Sequence, residues 1–313
     1  MKLCLTLCDG DPAAVRAALP EGSFLAPRLV PPGFDPAVAR LALLGQDPRS
    51  TWTGPAAWGL SCVRTDLAED ESAYLFTPVR VADGVVVEAP VRLASGRVLD
   101  LLEWFEEETP CDPVQVFAAN PPLLVLGEPH VGPPALRPEP LVGRSLSDLP
   151  AGPPELLRRM IDMSELACLE VGGRATHFFP NSPGPPSRVQ PLRETWLGLR
   201  RALVVGGSPV AYGLAHSLRI GHAPAAAGDE LAAARAAAEG QELVVIVREE
   251  PPAELAAAFP DALALAVAGR PDAEGRVPLA WLSRAEQALD EGVDLLKPLA
   301  LGRGQSGRYR RAP

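Results

Sequence analysis

The amino-acid sequence predicts an α/β fold: a core built on a parallel-rich sheet flanked by helices, with a smaller α+β domain inserted into it. Three observations predict this. In the later part of the chain, strand-like apolar runs alternate with helical patterns, in the order RALVVGG, SPVAYGLAHSL, DELAAARAAAEG, ELVVIV, ALALAVAG, and such alternation builds parallel sheets. Of the 313 residues, 47% are hydrophobic and only 22% charged, enough apolar surface to bury a large core or two modest ones. Earlier in the chain, PVRVADGVVVEAP places two alternating runs around Asp83-Gly84, the strongest short-range signal for a hairpin and hence for antiparallel structure.

Taken in order, KLCLTL at residues 2–7 reads as a first core strand whose carboxyl end falls at Asp9, the end at which open α/β sheets gather functional groups. The hairpin follows. RVLDLLEWFEEE then spaces Val98, Leu101, Leu102 and Phe105 at helical intervals, and LLVLG supplies a further strand. From Pro153 to Glu170, Leu156, Met160, Met163 and Ala167 share one helical face, so a long helix is expected to lead back to the core. RALVVGG is a strand, SPVAYGLAHSL a helix, and DELAAARAAAEG a helix with Asp229 as N-cap and Gly240 as stop. ELVVIV and ALALAVAG are strands, and SRAEQALDEGVDLL is a last helix. The expected domains are 1–66 (core, first part), 67–150 (inserted cap), 151–302 (core, second part) and 303–313 (a flexible basic tail carrying Arg303, Arg308, Arg310 and Arg311).

Composition narrows the function classes. A formal net charge of −10 argues against a polyanion-binding surface, so no nucleic acid is expected as partner. No run of about 18 uninterrupted apolar residues is present, and no membrane association is expected. The five cysteines include no C-x-x-C pair, which fits a reducing cytoplasm better than a disulfide framework. The 36 prolines exceed twice the usual ~5% and are dispersed in clusters that punctuate loops. VVGGSPVAY has the strand, glycine pair and helix start that can cradle an anion on backbone N–H groups, and it reads more simply as a tight turn. His177, beside Asn181 and Ser182 in THFFPNSPG, is a single imidazole that can line a pocket or sit satisfied in a core. No histidine follows His222.

The stretch PPGFDPAVARLALLGQDPRSTWTGPAAWGL, with Leu44-Gly45-Gln46-Asp47-Pro48 followed by Trp52-Thr53-Gly54, resembles the archaeal-type cofactor-independent phosphoglycerate mutases, a branch of the alkaline phosphatase superfamily. DESAYLFTPVRVADG, LLVLGEPH, LLRRMIDMSELACLE and RALVVGGSPVAYGLA are collinear with further segments of that family. The resemblance implies an alkaline-phosphatase-like core with an inserted cap. It also implies a chemistry in which two divalent ions, usually manganese, activate a serine that takes and returns a phosphoryl group.

Residue by residue, little of that centre is matched. Asp9, in Cys8-Asp9-Gly10-Asp11, matches the family's first metal aspartate. The nucleophile position falls on Phe34 or Pro36, depending on the alignment, and neither can accept a phosphoryl group. Leu75 and either Ala211 or Tyr212 stand where the family carries phosphate-binding arginines, whose bidentate grip they cannot supply. The segments collinear with the later ligands offer Glu249, Glu250, Glu254, Asp272 and Glu274, but no imidazole. The reading that follows is a catalytically degenerate, mutase-like protein with no catalytic residue and no cofactor. Asp9 is a metal-site remnant, and Asp11, His177, Asn181 and Ser182 are candidate cleft residues; the protein acts by binding a small anionic metabolite or a protein partner. The alternative is an active metal-dependent mutase or phosphatase holding Mn or Mg on oxygen ligands drawn from Asp9, Asp11, Glu249, Glu250 and Asp272.

Overall fold

The computed structural model describes residues 3–10, 12–18, 24–25, 36–46, 55–60, 67–108, 114–117, 122–128, 140–150, 154–184, 189–195, 199–251, 253–262, 264–270 and 276–283. In chain order the elements are β1 (Leu3–Cys8), α1 (Pro12–Ala18), β2 (Phe24–Leu25), α2 (Pro36–Leu43), α3 (Pro55–Leu60), β3 (Ser72–Ala82), β4 (Val85–Glu88) and α4 (Ser95–Glu108). Next come β5 (Val114–Phe117), β6 (Leu123–Leu126), α5 (Pro154–Val171), β7 (His177–Gly184), α6 (Leu192–Thr195), β8 (Ala202–Val205), α7 (Pro209–Leu218) and β9 (Gly221–Ala223). The chain continues through α8 (Glu230–Ala237), β10 (Leu243–Arg248), α9 (Leu255–Ala258), β11 (Ala264–Ala268) and β12 (Pro278–Ser283). It divides into two compact units, Met1–Thr51 with Arg188–Pro313, and Trp52–Ser187.

The first unit holds a sheet in the order β2-β12-β11-β1-β10-β8-β9. β1 lies between β10 and β11 and is parallel to both, and β8 and β9 continue the parallel run. Every residue of β1 is buried, as expected of a parallel strand covered on both faces. β12 and β2 add antiparallel pairings at the other side of the sheet. Cys4, Val244, Ile246, Val205, Leu255 and Val267 belong to the core of this unit. α2 is closed by a Schellman motif: the N–H of Gln46 donates to the carbonyl of Leu41 (3.1 Å) and that of Gly45 to the carbonyl of Ala42 (3.0 Å). Gly45 takes the left-handed conformation this cap needs (φ 83°).

The second unit is a five-stranded antiparallel sheet of β4, β3, β6, β5 and β7, covered by helices. Asp83 (φ 51°) and Gly84 (φ 73°) both lie in the left-handed region, the type I′ geometry that the Asp-Gly signal foretells. Phe76 sits at the centre of its core, with ring centroids 5.7 Å from Phe105 and 5.1 Å from Phe178.

This unit reaches further than the insert expected at 67–150, and at both ends: α3, expected in the core, packs Ala56 and Leu60 against Ala73, Leu123 and Val125. α5 does not lead back to the parallel sheet: its buried face packs on β7 and α4, and β7 pairs with β3 from Val79↔His177 to Ala73↔Gly184. The sequence hides β7 because HFFPNSPG carries Pro180 and Pro183, which read as breakers. Two smaller expectations also differ. Asp229 stands before α8 but makes no side-chain capping bond; instead the Glu230 carboxylate accepts from the Gly228 N–H (3.0 Å). α8 ends at Ala237, three residues before Gly240, which takes φ 73° in the turn toward β10. Of the helix expected in SRAEQALDEGVDLL, Ser283 is instead the last residue of β12; the rest of that segment and the basic tail lie outside the described residues.

Candidate functional site

β1 ends where the parallel sheet presents its carboxyl edge, and Asp9 follows directly. Its N–H donates to the carbonyl of Arg248 (2.8 Å), and the N–H of Gly10 donates to that of Glu249 (3.0 Å), so the Asp-Gly turn runs flush against the end of β10. A Cβ at Gly10 would stand 2.5 Å from the Glu249 carbonyl oxygen. The glycine is therefore required by backbone approach alone.

The Asp9 carboxylate accepts a hydrogen bond from Nη2 of Arg40 and forms an ion pair with it. Arg40 lies in the last turn of α2, among the fully buried Val38, Leu41 and Leu43, and its side chain is 8% exposed against 31% for Asp9. A guanidinium so buried needs an opposite charge, because its desolvation is offset only by close pairing. Arg40 escaped the sequence reading. The signal was there: one cation inside the otherwise apolar run PAVARLALL.

Cys8 neighbours Asp9, and burial, partly opposed by the Arg248 guanidinium, pushes its thiol up to about 12. Burial likewise pushes Cys4 and Cys168 up to about 12. All three are free thiols with little nucleophilic character near neutral pH.

Of the other residues singled out in the sequence, Glu249, Glu250 and Glu254 are exposed. Asp11, Phe34, Asp272 and Glu274 lie outside the described residues, and Pro36 opens α2. Among the described residues, no group of three or more His, Cys, Asp and Glu side chains is arranged to hold a metal ion. The described donor set at the end of β1 is a carboxylate already engaged by a guanidinium, which does not fit a two-manganese centre: each ion of such a pair needs several anionic or imidazole donors.

His177, Asn181 and Ser182 belong to the other unit, in β7. Nδ1 of His177 lies 3.0 Å from Thr176 Oγ1, and Nε2 lies 3.6 Å from a Glu165 carboxylate oxygen. Burial holds the imidazole below its ordinary value, opposed by the charges of Glu165 and Asp162. Asn181 Nδ2 donates to Thr77 Oγ1 (2.7 Å), with the carbonyls of Phe179 (3.2 Å) and Leu75 (3.3 Å) also within reach. Ser182 Oγ donates to Asn181 Oδ1 (2.9 Å). The contacts of Asn181 with Thr77 and with the Leu75 carbonyl tie β7 to β3.

The glycine pair of VVGGSPVAY is also accounted for by the backbone. A Cβ at Gly206 would come within 2.8 Å of the Val247 carbonyl oxygen and one at Gly207 within 2.5 Å of that of Ala225. Ser208 caps α7, its hydroxyl accepting from the Ala211 N–H (3.3 Å). The geometry is that of a tight strand-to-helix turn.

Fold and site together define an α/β protein with a parallel-rich sheet and a second, α+β unit, carrying an ion-paired aspartate at the carboxyl end of its central strand. Among solved structures the chain is similar to the PH0037 protein of Pyrococcus horikoshii, with a TM-score of 0.61 and 12% identity over 98% of this chain and 99% of that one. At that identity the match establishes a shared fold alone. The chain is also similar to the cofactor-independent phosphoglycerate mutase of Thermoplasma acidophilum DSM 1728, with a TM-score of 0.48 and 16% identity over 91% and 90% of the two chains, a likeness too loose to bear on function. No family model matches the chain, and no curated protein matches it by sequence. No described helix is long and apolar enough to cross a membrane.

Proposed function

We propose that this chain is a phosphoglycerate-mutase-like protein without mutase catalysis, which acts by binding a small anionic metabolite or a protein partner. The observation that carries the reading is the ion pair between Asp9 and Arg40. The one aspartate that matches a metal ligand of the mutases has a buried guanidinium as its counter-ion, so a divalent ion would have to compete with a fixed internal cation. The sequence supports the same reading: no histidine follows His222, the nucleophile position is Phe34 or Pro36, and Leu75 and Ala211 or Tyr212 replace the phosphate-binding arginines. On this reading the protein needs no cofactor and works in the cytoplasm. A mutase assay on the full chain with added manganese tests it. The expected result is no turnover above background; metal-dependent turnover abolished by Asp9→Ala would overturn the reading in favour of an oxygen-ligand enzyme.

A further inference from the structure

A cavity of about 500 Å³ opens in the first unit between α8, α9 and the end of β10, within the ~300–1,000 Å³ range of small-molecule sites. Arg235 and Arg248 both line it, with Leu231, Ala257 and Ala258 as an apolar wall and Glu254 as a carboxylate. The spacing follows from helix geometry: Leu231 and Arg235 lie four residues apart on one face of α8, and Glu254 and Ala258 repeat that spacing at α9.

The two arginines differ in a useful way. Arg235 is exposed and makes no ion pair among the described residues. Arg248 is half-buried at the last position of β10, and its Nε is fully buried with no hydrogen-bond partner among the described residues. A buried donor on a charged group is costly to leave without an acceptor, and native structures rarely do so without a functional reason. Cys8, beside it, is no substitute: burial keeps its thiol neutral.

We infer that this cavity is a binding site for a small organic anion, whose phosphate or carboxylate is gripped by Arg235 and Arg248. A planar guanidinium matches the oxygens of either group. The apolar wall takes the body of the ligand, and Glu254 accepts from a hydroxyl on it. This inference rests on the binding reading given above and adds a place and a chemistry to it: the phosphomutase resemblance assigns no role to Arg235 or Arg248.

Titration calorimetry of the full chain with glycerol phosphate and, separately, glycerate tests it, the two arms distinguishing phosphate from carboxylate on a similar hydroxylated body. Saturable binding of at least one is expected, weakened about tenfold or more by both Arg235→Ala and Arg248→Lys. The first variant alters an exposed side chain and leaves the core untouched, and the second keeps the charge beside Cys8. Thermal melts of both should stay close to that of the parent. No saturable binding of either compound, or binding that both variants leave unchanged, overturns the inference. Mutase turnover measured on the same preparation reports on the underlying reading alone, so the two fail separately.

Discussion

Arg40 anchors Asp9, the residue that follows the central strand of the parallel sheet. Its guanidinium is held in the apolar face of α2 with the Asp9 carboxylate as an ion-pair partner, and removing that carboxylate takes a counter-charge from a buried cation. Asp9→Ala is therefore expected to destabilise the first unit by about 2–3 kcal/mol in urea denaturation; an unchanged midpoint would show that the pair does not matter to the fold. His177 gives a second test. Burial lowers its folded-state value from the ordinary 6.5, so the unfolded chain takes up the proton first as pH falls. The stability this residue contributes is complete above pH 6.5 and is lost as pH drops below it toward the folded value. His177→Gln is expected to flatten that part of the stability–pH curve, and a variant whose curve matches the parent would contradict the assignment. At this scale the sequence was legible where a residue type has one main use. Asp9 at a strand end was found; Arg40 was not, because its partner lies far along the chain and only the fold brings them together. The hydrogen bonds of Asn181 and Ser182 were equally out of reach, since they depend on the register of β7 on β3.

Elements were legible in proportion to how local their signals are. The β3–β4 hairpin and α4, α5 and α7 follow from turn chemistry and helical periodicity, which need no tertiary information. β7 was lost because its prolines argue against a strand, although antiparallel pairing with β3 tolerates them there. The best motif of the resemblance, Leu44-Gly45-Gln46, has a structural explanation of its own: it ends α2 in a Schellman cap. Gly45→Ala is expected to cost about 1 kcal/mol, because it forces a Cβ into the left-handed region. α7 ends the same way with Arg219 at φ 53°, its N–H reaching the carbonyl of His216 (3.1 Å) while that of Ile220 reaches Ala215 (3.1 Å). Here the opposite change, Arg219→Gly, is expected to raise stability by about 0.5–1 kcal/mol, read as a higher melting temperature. In the second unit, Phe76→Ala removes the ring that meets both Phe105 and Phe178. It is expected to destabilise by about 3–5 kcal/mol, read by denaturation.

For the whole molecule, alternation of strand and helix along the chain foretold the parallel-rich sheet, and it is there in β11-β1-β10-β8-β9. The order of an inserted α+β unit was also legible, while its bounds were not: membership of α3, α5 and β7 is decided by packing and pairing with β3, which no local pattern encodes. Function lies beyond the fold, since one scaffold carries many chemistries, and here it turns on whether Asp9 serves a metal ion or Arg40. The most direct measurement is the metal content of the purified full chain after incubation with excess manganese and removal of free ion. Near-zero bound manganese is predicted. Stoichiometric, tightly held manganese that disappears in the Asp9→Ala variant would contradict the account and return the protein to the metal-dependent phosphotransfer enzymes.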